Sequence, residues 1–219
     1  MRMPTNDQSS ITQLPDDRPA AGSVGSVDLV ALDAHAVRAS VDLLARATRA
    51  DLTRPTPCAE WTLEDLLAHM AAQHNGFAAA ARGEENPKVW EERSLGDDPF
   101  GAYRDSAERV LDAFAADGVL ERMFLIPDFG DQPLPGWQAI SAHLVDYAVH
   151  SWDVAKALGV PAELEPAAVG MAYEIAQIVP TGEARLVSGA PFGPEVAFTG
   201  GSRLDRLVAH LGRSPNWPA

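Results

Sequence analysis

A chain of 219 residues with one cysteine, Cys58, can form neither an internal disulfide nor a cysteine-rich zinc knuckle. Basic residues are scarce as well: 17 Lys and Arg stand against 31 Asp and Glu, a formal charge of −14. A surface of that sign repels phosphate backbones and anionic headgroups, so neither nucleic acid nor membrane is an expected partner. No run approaches the roughly 20 apolar residues of a membrane span. The first 26 residues lack an apolar signal-type stretch and are rich in Pro, Ser and Asp. They read as a disordered leader, and the protein as cytoplasmic. No internal repeat at a solenoid period is visible.

What is present is ordinary material for one domain: 46% apolar and 22% charged residues. The first helical pattern places Val30, Ala34, Val37, Val41 and Leu44 at helical spacing, with His35 exposed beside the stripe. Next come Pro55 and Pro57, and then a clear helix start. Thr62 has the character of an N-cap, Asp65 follows three residues later, and Gly83 closes a helix over 63–82. A third helix runs from Pro99 towards Gly118, and a short strand or hairpin is expected before residue 136. The fourth helix runs to Gly159. A fifth starts near Pro166, a second small hairpin is expected over 185–198, and Ser202 caps a last helix. The expected architecture is all-α in the main: an up-and-down four-helix bundle over 27–160 with a C-terminal extension over 161–219.

The fourth helix contains HLVDYAVHSWD, residues 143–153. At about 100° per residue, His143, Asp146, His150 and Asp153 fall within about 80° of one another. The rest of the helix surface is apolar, so the stripe is expected to face the bundle interior. Carboxylates and imidazoles buried without partners cost several kcal/mol, and a divalent cation is one way to compensate them. Asp146 and His150, at i and i+4, suit two ligands of one ion, and His69 on the second helix is placed to supply a third. Three protein ligands leave a position open, as in catalytic sites. Asp153 reads as an acceptor orienting an imidazole from behind, and His143 as a supporting member or substitute ligand. Spacing alone leaves a structural His–Asp hydrogen-bond network as an equal alternative.

The remaining candidates read as structural. Cys58 lies eleven residues before His69, roughly 12 Å or more of helical rise, and reads as a thiol packed near Trp61. His74 is assigned to surface or packing, and His210 to solvent.

The segments PTPCAEWTLEDLLAHM, DYAVHSWDVAKALG and LDRLVAHLGRSPNW, in that order, resemble the DinB-like superfamily of metal-binding four-helix bundles. The likeness is to the branch related to the mycothiol-dependent maleylpyruvate isomerase N-terminal domain. It implies a divalent ion, commonly zinc with nickel or iron as alternatives, held by His69, Asp146 and His150, and a thiol cosubstrate such as mycothiol. The activity it implies is a metal-dependent thiol S-transferase or isomerase acting on a small molecule. Metal-assisted hydrolysis and a non-catalytic binding module are the alternatives, and a homodimer is an open expectation for a bundle of this kind. The isomerases carry a larger C-terminal portion, so maleylpyruvate itself does not carry over.

Overall fold

The helix starts follow from local chemistry. In the computed structural model, which describes residues 28–187, 190 and 192–218, Asp28 caps α1 (Leu29–Leu44) by accepting from the Ala31 N–H. Thr62 and Asp65 form the reciprocal capping box that opens α2 (Leu63–Ala81), and Gly83 takes a left-handed φ just past its end. Asp98 caps α3 (Pro99–Phe114), whose first residue is the proline that helix starts tolerate. The long α4 (Gly136–Leu158) ends at Gly159 with φ +71°. After α5 (Pro166–Ala176), Ser202 and Asp205 form a second capping box on α6 (Arg203–His210). The disordered leader expected over 1–26 lies outside the described residues.

The expected hairpin before α4 forms, with β1 (Met123–Phe124) antiparallel to β2 (Leu134–Pro135). The second one does not. Among the described residues of 185–198 there is no strand, and the Val196 N–H bonds instead to the Ala209 carbonyl of α6. The backbone donor therefore docks on the last helix. No described helix is long and apolar enough to cross a membrane.

Four helices form the bundle, but sequence neighbours are not simply side by side. The strongest pairings are α1 with α4 and α2 with α3, and α1–α3 and α2–α4 close the ring. Both partners of α4 in that ring bring polar side chains to it, and α5 packs on its outer side. Leu63, Leu66, Leu67 and Met70 of α2 and Ile140, Leu144 and Val149 of α4 are buried in the shared core.

Inside that core sits a polar layer. His143 Nδ1 meets Asp33 Oδ1 of α1 at 2.7 Å, with both residues buried. His143 stacks on Tyr147 at 4.2 Å, and Tyr147 stacks on His74 at 4.3 Å. Ser106 gives its proton to the Tyr103 carbonyl, so its Oγ accepts from His74 Nδ1–H. His74 is thus a packed, buried neutral imidazole with a bare Nε2.

Burial, with His143 as a second cause, pushes the pKa of His74 well below the ordinary histidine value. A lowered folded pKa means that the unfolded chain binds more protons, so stability is present above the unfolded value and falls as pH drops below it. His74→Gln, which can still reach Ser106, is expected to be less stable than wild type at pH 7 but less sensitive between pH 7 and 5. Each pH unit over which His74 alone stays unprotonated costs wild type about 1.4 kcal/mol. Urea midpoints at both pH values measure the difference in slope. Parallel slopes would exclude His74 as the source.

Candidate metal centre

The end of α4 is held against the start of α2 by the segment between them and α1. Arg54 donates to the carbonyls of Ala157 and Leu158 at 3.3 and 3.0 Å, satisfying the C-terminal end of α4 with a cation. Pro55 and Thr62 form an antiparallel bridge, and the Thr56 N–H bonds the Trp61 carbonyl, so residues 56–61 make a closed loop. Glu60 within it takes φ +69°. The loop presents Cys58 to the side of α4 that carries His150 and Asp153.

The geometry at that place centres on His150. Its Nε2 lies 3.3 Å from Asp146 Oδ1, one turn back, and its Nδ1 lies 2.9 Å from Asp153 Oδ2, one turn on. His69 arrives from α2 with its ring centroid 5.4 Å from that of His150. The His69 Nδ1 is itself 2.9 Å from Glu92 Oε1, a carboxylate in the segment between α2 and α3. Both imidazoles therefore have Nδ1 engaged by a carboxylate, the arrangement that fixes tautomer and ring orientation in histidine–metal sites, while the Nε2 of His150 faces Asp146.

Asp153 is fully buried and crowded with donors. Its Oδ2 receives the Cys58 thiol at 3.2 Å and Arg213 Nη2 at 3.3 Å as well as His150. Arg213 follows α6, so the C-terminal extension supplies the cation that neutralises this carboxylate. Burial opposes the ionised form of Asp153, but Arg213 beside it, then His150 and Cys58, hold its pKa below the ordinary value. At Asp146 burial likewise opposes ionisation, and His150, with His69 and His143 behind it, brings the pKa far down. Burial disfavours a charged His150, yet Asp146 and then Asp153 raise its pKa well above normal. Two carboxylates thus flank a point that collects positive charge.

Among the described residues, two groups of side chains have donor atoms within 4.8 Å of one another, a spacing that can hold a metal ion: His69, Asp146 and His150, and Cys58, His150 and Asp153. The first is the set that helix geometry proposed. The two are not equivalent electrostatically. Arg213 lies against Asp153 and within 3.8 Å of Cys58 Sγ, so the second group already carries a fixed cation. Asp146, with 26% of its side chain exposed, opens the first group towards solvent.

Other sequence-based assignments shift. His143 does not join the cluster: although near His150 in angle, it lies seven residues earlier, about 10 Å along the axis, and pairs with Asp33. Cys58 is no bystander near Trp61, because the relevant distance runs across to α4 and not along α2. His210 is mostly covered, with Nε2 bonding the Ala176 carbonyl at 2.9 Å and Nδ1 paired with Glu195. His35 is exposed, as expected. Asp33, Glu92 and Arg213 were not foreseen. Asp33 left one signal, an acid four residues before Val37 on the apolar face of α1. Glu92 and Arg213 lie in segments with no periodicity to place them.

Comparison with known proteins bears on the same region. The profile of the mycothiol maleylpyruvate isomerase N-terminal domain matches residues 34–155, more than half of the chain. Two uncharacterized proteins from strains of Mycobacterium tuberculosis are each 30% identical over 180 residues, covering 78% of this chain and 90% of theirs. Among solved structures, the mycothiol-dependent maleylpyruvate isomerase aligns with a TM-score of 0.52 at 16% identity, covering 69% of this chain and 68% of its own. A mutant of that enzyme aligns equally well at 18% identity. At such identity the structural likeness speaks for the fold, while the profile match reaches the sequence of the bundle itself: the chain belongs to the mycothiol maleylpyruvate isomerase N-terminal domain family.

Proposed function

We propose that this protein is a metal-dependent small-molecule enzyme, a thiol S-transferase or isomerase, in which His69, Asp146 and His150 hold a divalent ion. The observation that carries the reading is the pair of imidazoles from two helices, each tied through Nδ1 to a carboxylate, with Asp146 beside them. Two nitrogens and one carboxylate oxygen suit zinc, with nickel or iron as alternatives. A divalent ion at this place would supply Lewis acidity that lowers the pKa of a coordinated thiol and makes a thiolate available near neutral pH.

The chain's own residues account for the rest. Asp153 keeps the His150 ring fixed, and Arg213 neutralises Asp153 so that this carboxylate orients the imidazole without competing for the ion. Glu92 does the same for His69 from the other side. The part-exposed edge at Asp146 is the direction from which a thiol and an electrophile approach. Mycothiol is named for the structural relative and the family, and it enters here as the proposed cosubstrate.

The test is thiol consumption, for S-transfer, and product analysis, for isomerisation in which the thiol is returned, by zinc-loaded, untagged protein with mycothiol and a panel of α,β-unsaturated and epoxide electrophiles. Formation of an S-adduct or an isomerised product, faster with protein than without and abolished by chelation, is the expected result. No acceleration with mycothiol and any electrophile in the panel would sink the transferase and isomerase reading.

A further inference from the structure

Beside the proposed metal centre, on the other side of the segment that carries Glu92, lies a cavity of different character. It has a volume of about 460 Å³ and sits between α2, α3 and the segment joining them. That size is within the range of small-molecule sites, roughly 300–1,000 Å³. Its floor is alanine: Ala68, Ala72 and Ala79 of α2 and Ala102 of α3 leave space where larger side chains would fill it. Around that floor stand Arg82, Lys88, Arg93 and Arg109, against only Glu84 and Glu91. In a chain of formal charge −14, a cavity lining with four cations against two acids is opposite in sign to the chain as a whole.

The cations are not equally engaged. Arg82 donates to the Arg109 carbonyl at 3.2 Å, and Arg93 to that of Lys88 at 3.0 Å, with Glu91 3.6 Å away. The side chains of Lys88, Arg109 and the part-buried Asn75 make no hydrogen bond or ion pair among the described residues. Two solvent-exposed cations and a part-buried amide therefore border the cavity without a protein partner.

The wall is pinned in place. Trp90 lies so close over Gly76 that a Cβ there would sit 2.3 Å from its ring, and it meets Phe77 edge-on at 5.2 Å. Two residues further, Glu92 reaches His69 while its neighbours Glu91 and Arg93 line the cavity. The segment thus separates two compartments, and its cavity side is preorganised, as binding sites require.

We propose that this cavity binds a small organic anion carrying carboxylate or phosphate groups, with Lys88 and Arg109 as the charge partners and Asn75 as a hydrogen-bonding group on the floor. Arginine matches either oxyanion through paired N–H donors, and lysine adds a point charge. The assignment does not depend on a metal at His69, Asp146 and His150. The negative charge of the rest of the surface disfavours indiscriminate anion binding, so saturable binding reports this patch.

Calorimetric titration of the full chain with succinate, citrate and glycerol 3-phosphate, and with glycerol as the uncharged control, tests the assignment. Saturable binding of at least one anion, absent for glycerol, is expected, and the carboxylate and phosphate arms show which group is preferred. Reversing both charges with Lys88→Glu and Arg109→Glu should weaken it at least about tenfold. Lys88→Ala alone, on an exposed segment, should weaken it severalfold and serves if the double reversal does not fold. The affinity should persist in Asp146→Ala, His150→Ala protein and in the presence of the uncharged chelator 1,10-phenanthroline, which separates this site from the proposed metal centre. Absence of binding by all three anions overturns the assignment. So does binding unchanged by the charge variants, or binding lost with the metal-site variant.

Discussion

Asp146→Ala combined with His150→Ala is expected to abolish stoichiometric zinc binding, weakening affinity by more than about 100-fold. Loss of a residue that merely orients a metal ligand costs about 10–100-fold, and this variant removes two of the three proposed ligands themselves. The helix should survive the change. Asp146 is 26% exposed, and α4 is anchored over its length by apolar residues such as Leu144, Val149 and Trp152. Elemental analysis of untagged protein, chelator competition and far-UV circular dichroism together separate loss of metal from loss of fold. His143→Phe provides the contrast in metal content: His143 turns to Asp33, so the variant, although destabilised by leaving Asp33 buried and unpaired, should keep its metal while folded. If wild-type protein takes up neither zinc nor nickel, the metal-enzyme reading falls while the family and fold stand.

Asp33→Ala should have the largest effect on stability, a loss of about 3–5 kcal/mol, because it strips one member from a fully buried pair. His143 would be left with Nδ1 unpartnered among Phe77, Phe114 and Tyr147, and its Nε2 already lacks a partner. Replacing both members, Asp33→Leu with His143→Phe, should recover most of the loss, since apolar side chains of similar volume avoid the cost of desolvating the pair. Urea unfolding of Asp33→Leu, His143→Phe and the double variant carrying both gives the coupling directly. Equal losses in the single and double variants would mean that packing, and not the pair, sets the cost.

How much of this was legible in the sequence depended on range. The capping box of Thr62 and Asp65 and the glycines after α2 and α4 act over a few residues, and they placed those helix ends correctly. The Asp146–His150 spacing is likewise local, and the structure sets His69 beside it. Angle without height misled at His143: a helical wheel collapses the axis, and about 10 Å of rise divides it from His150. Cys58 was measured along its own chain, although Asp153, ninety-five residues away, was the neighbour that mattered. The ring order of the helices had no local signature either, because it is decided by which faces meet.

Arg213 gives the site an order of construction. His69, Asp146, Asp153 and Cys58 all precede it in the chain, and the partner it neutralises lies sixty residues upstream. During synthesis α1 to α4 emerge first, so the bundle can gather its core while Asp153 has no guanidinium. The buried carboxylate is settled only when the segment after α6 folds back. A nascent chain would therefore have the outline of its candidate metal centre before the means of holding it still.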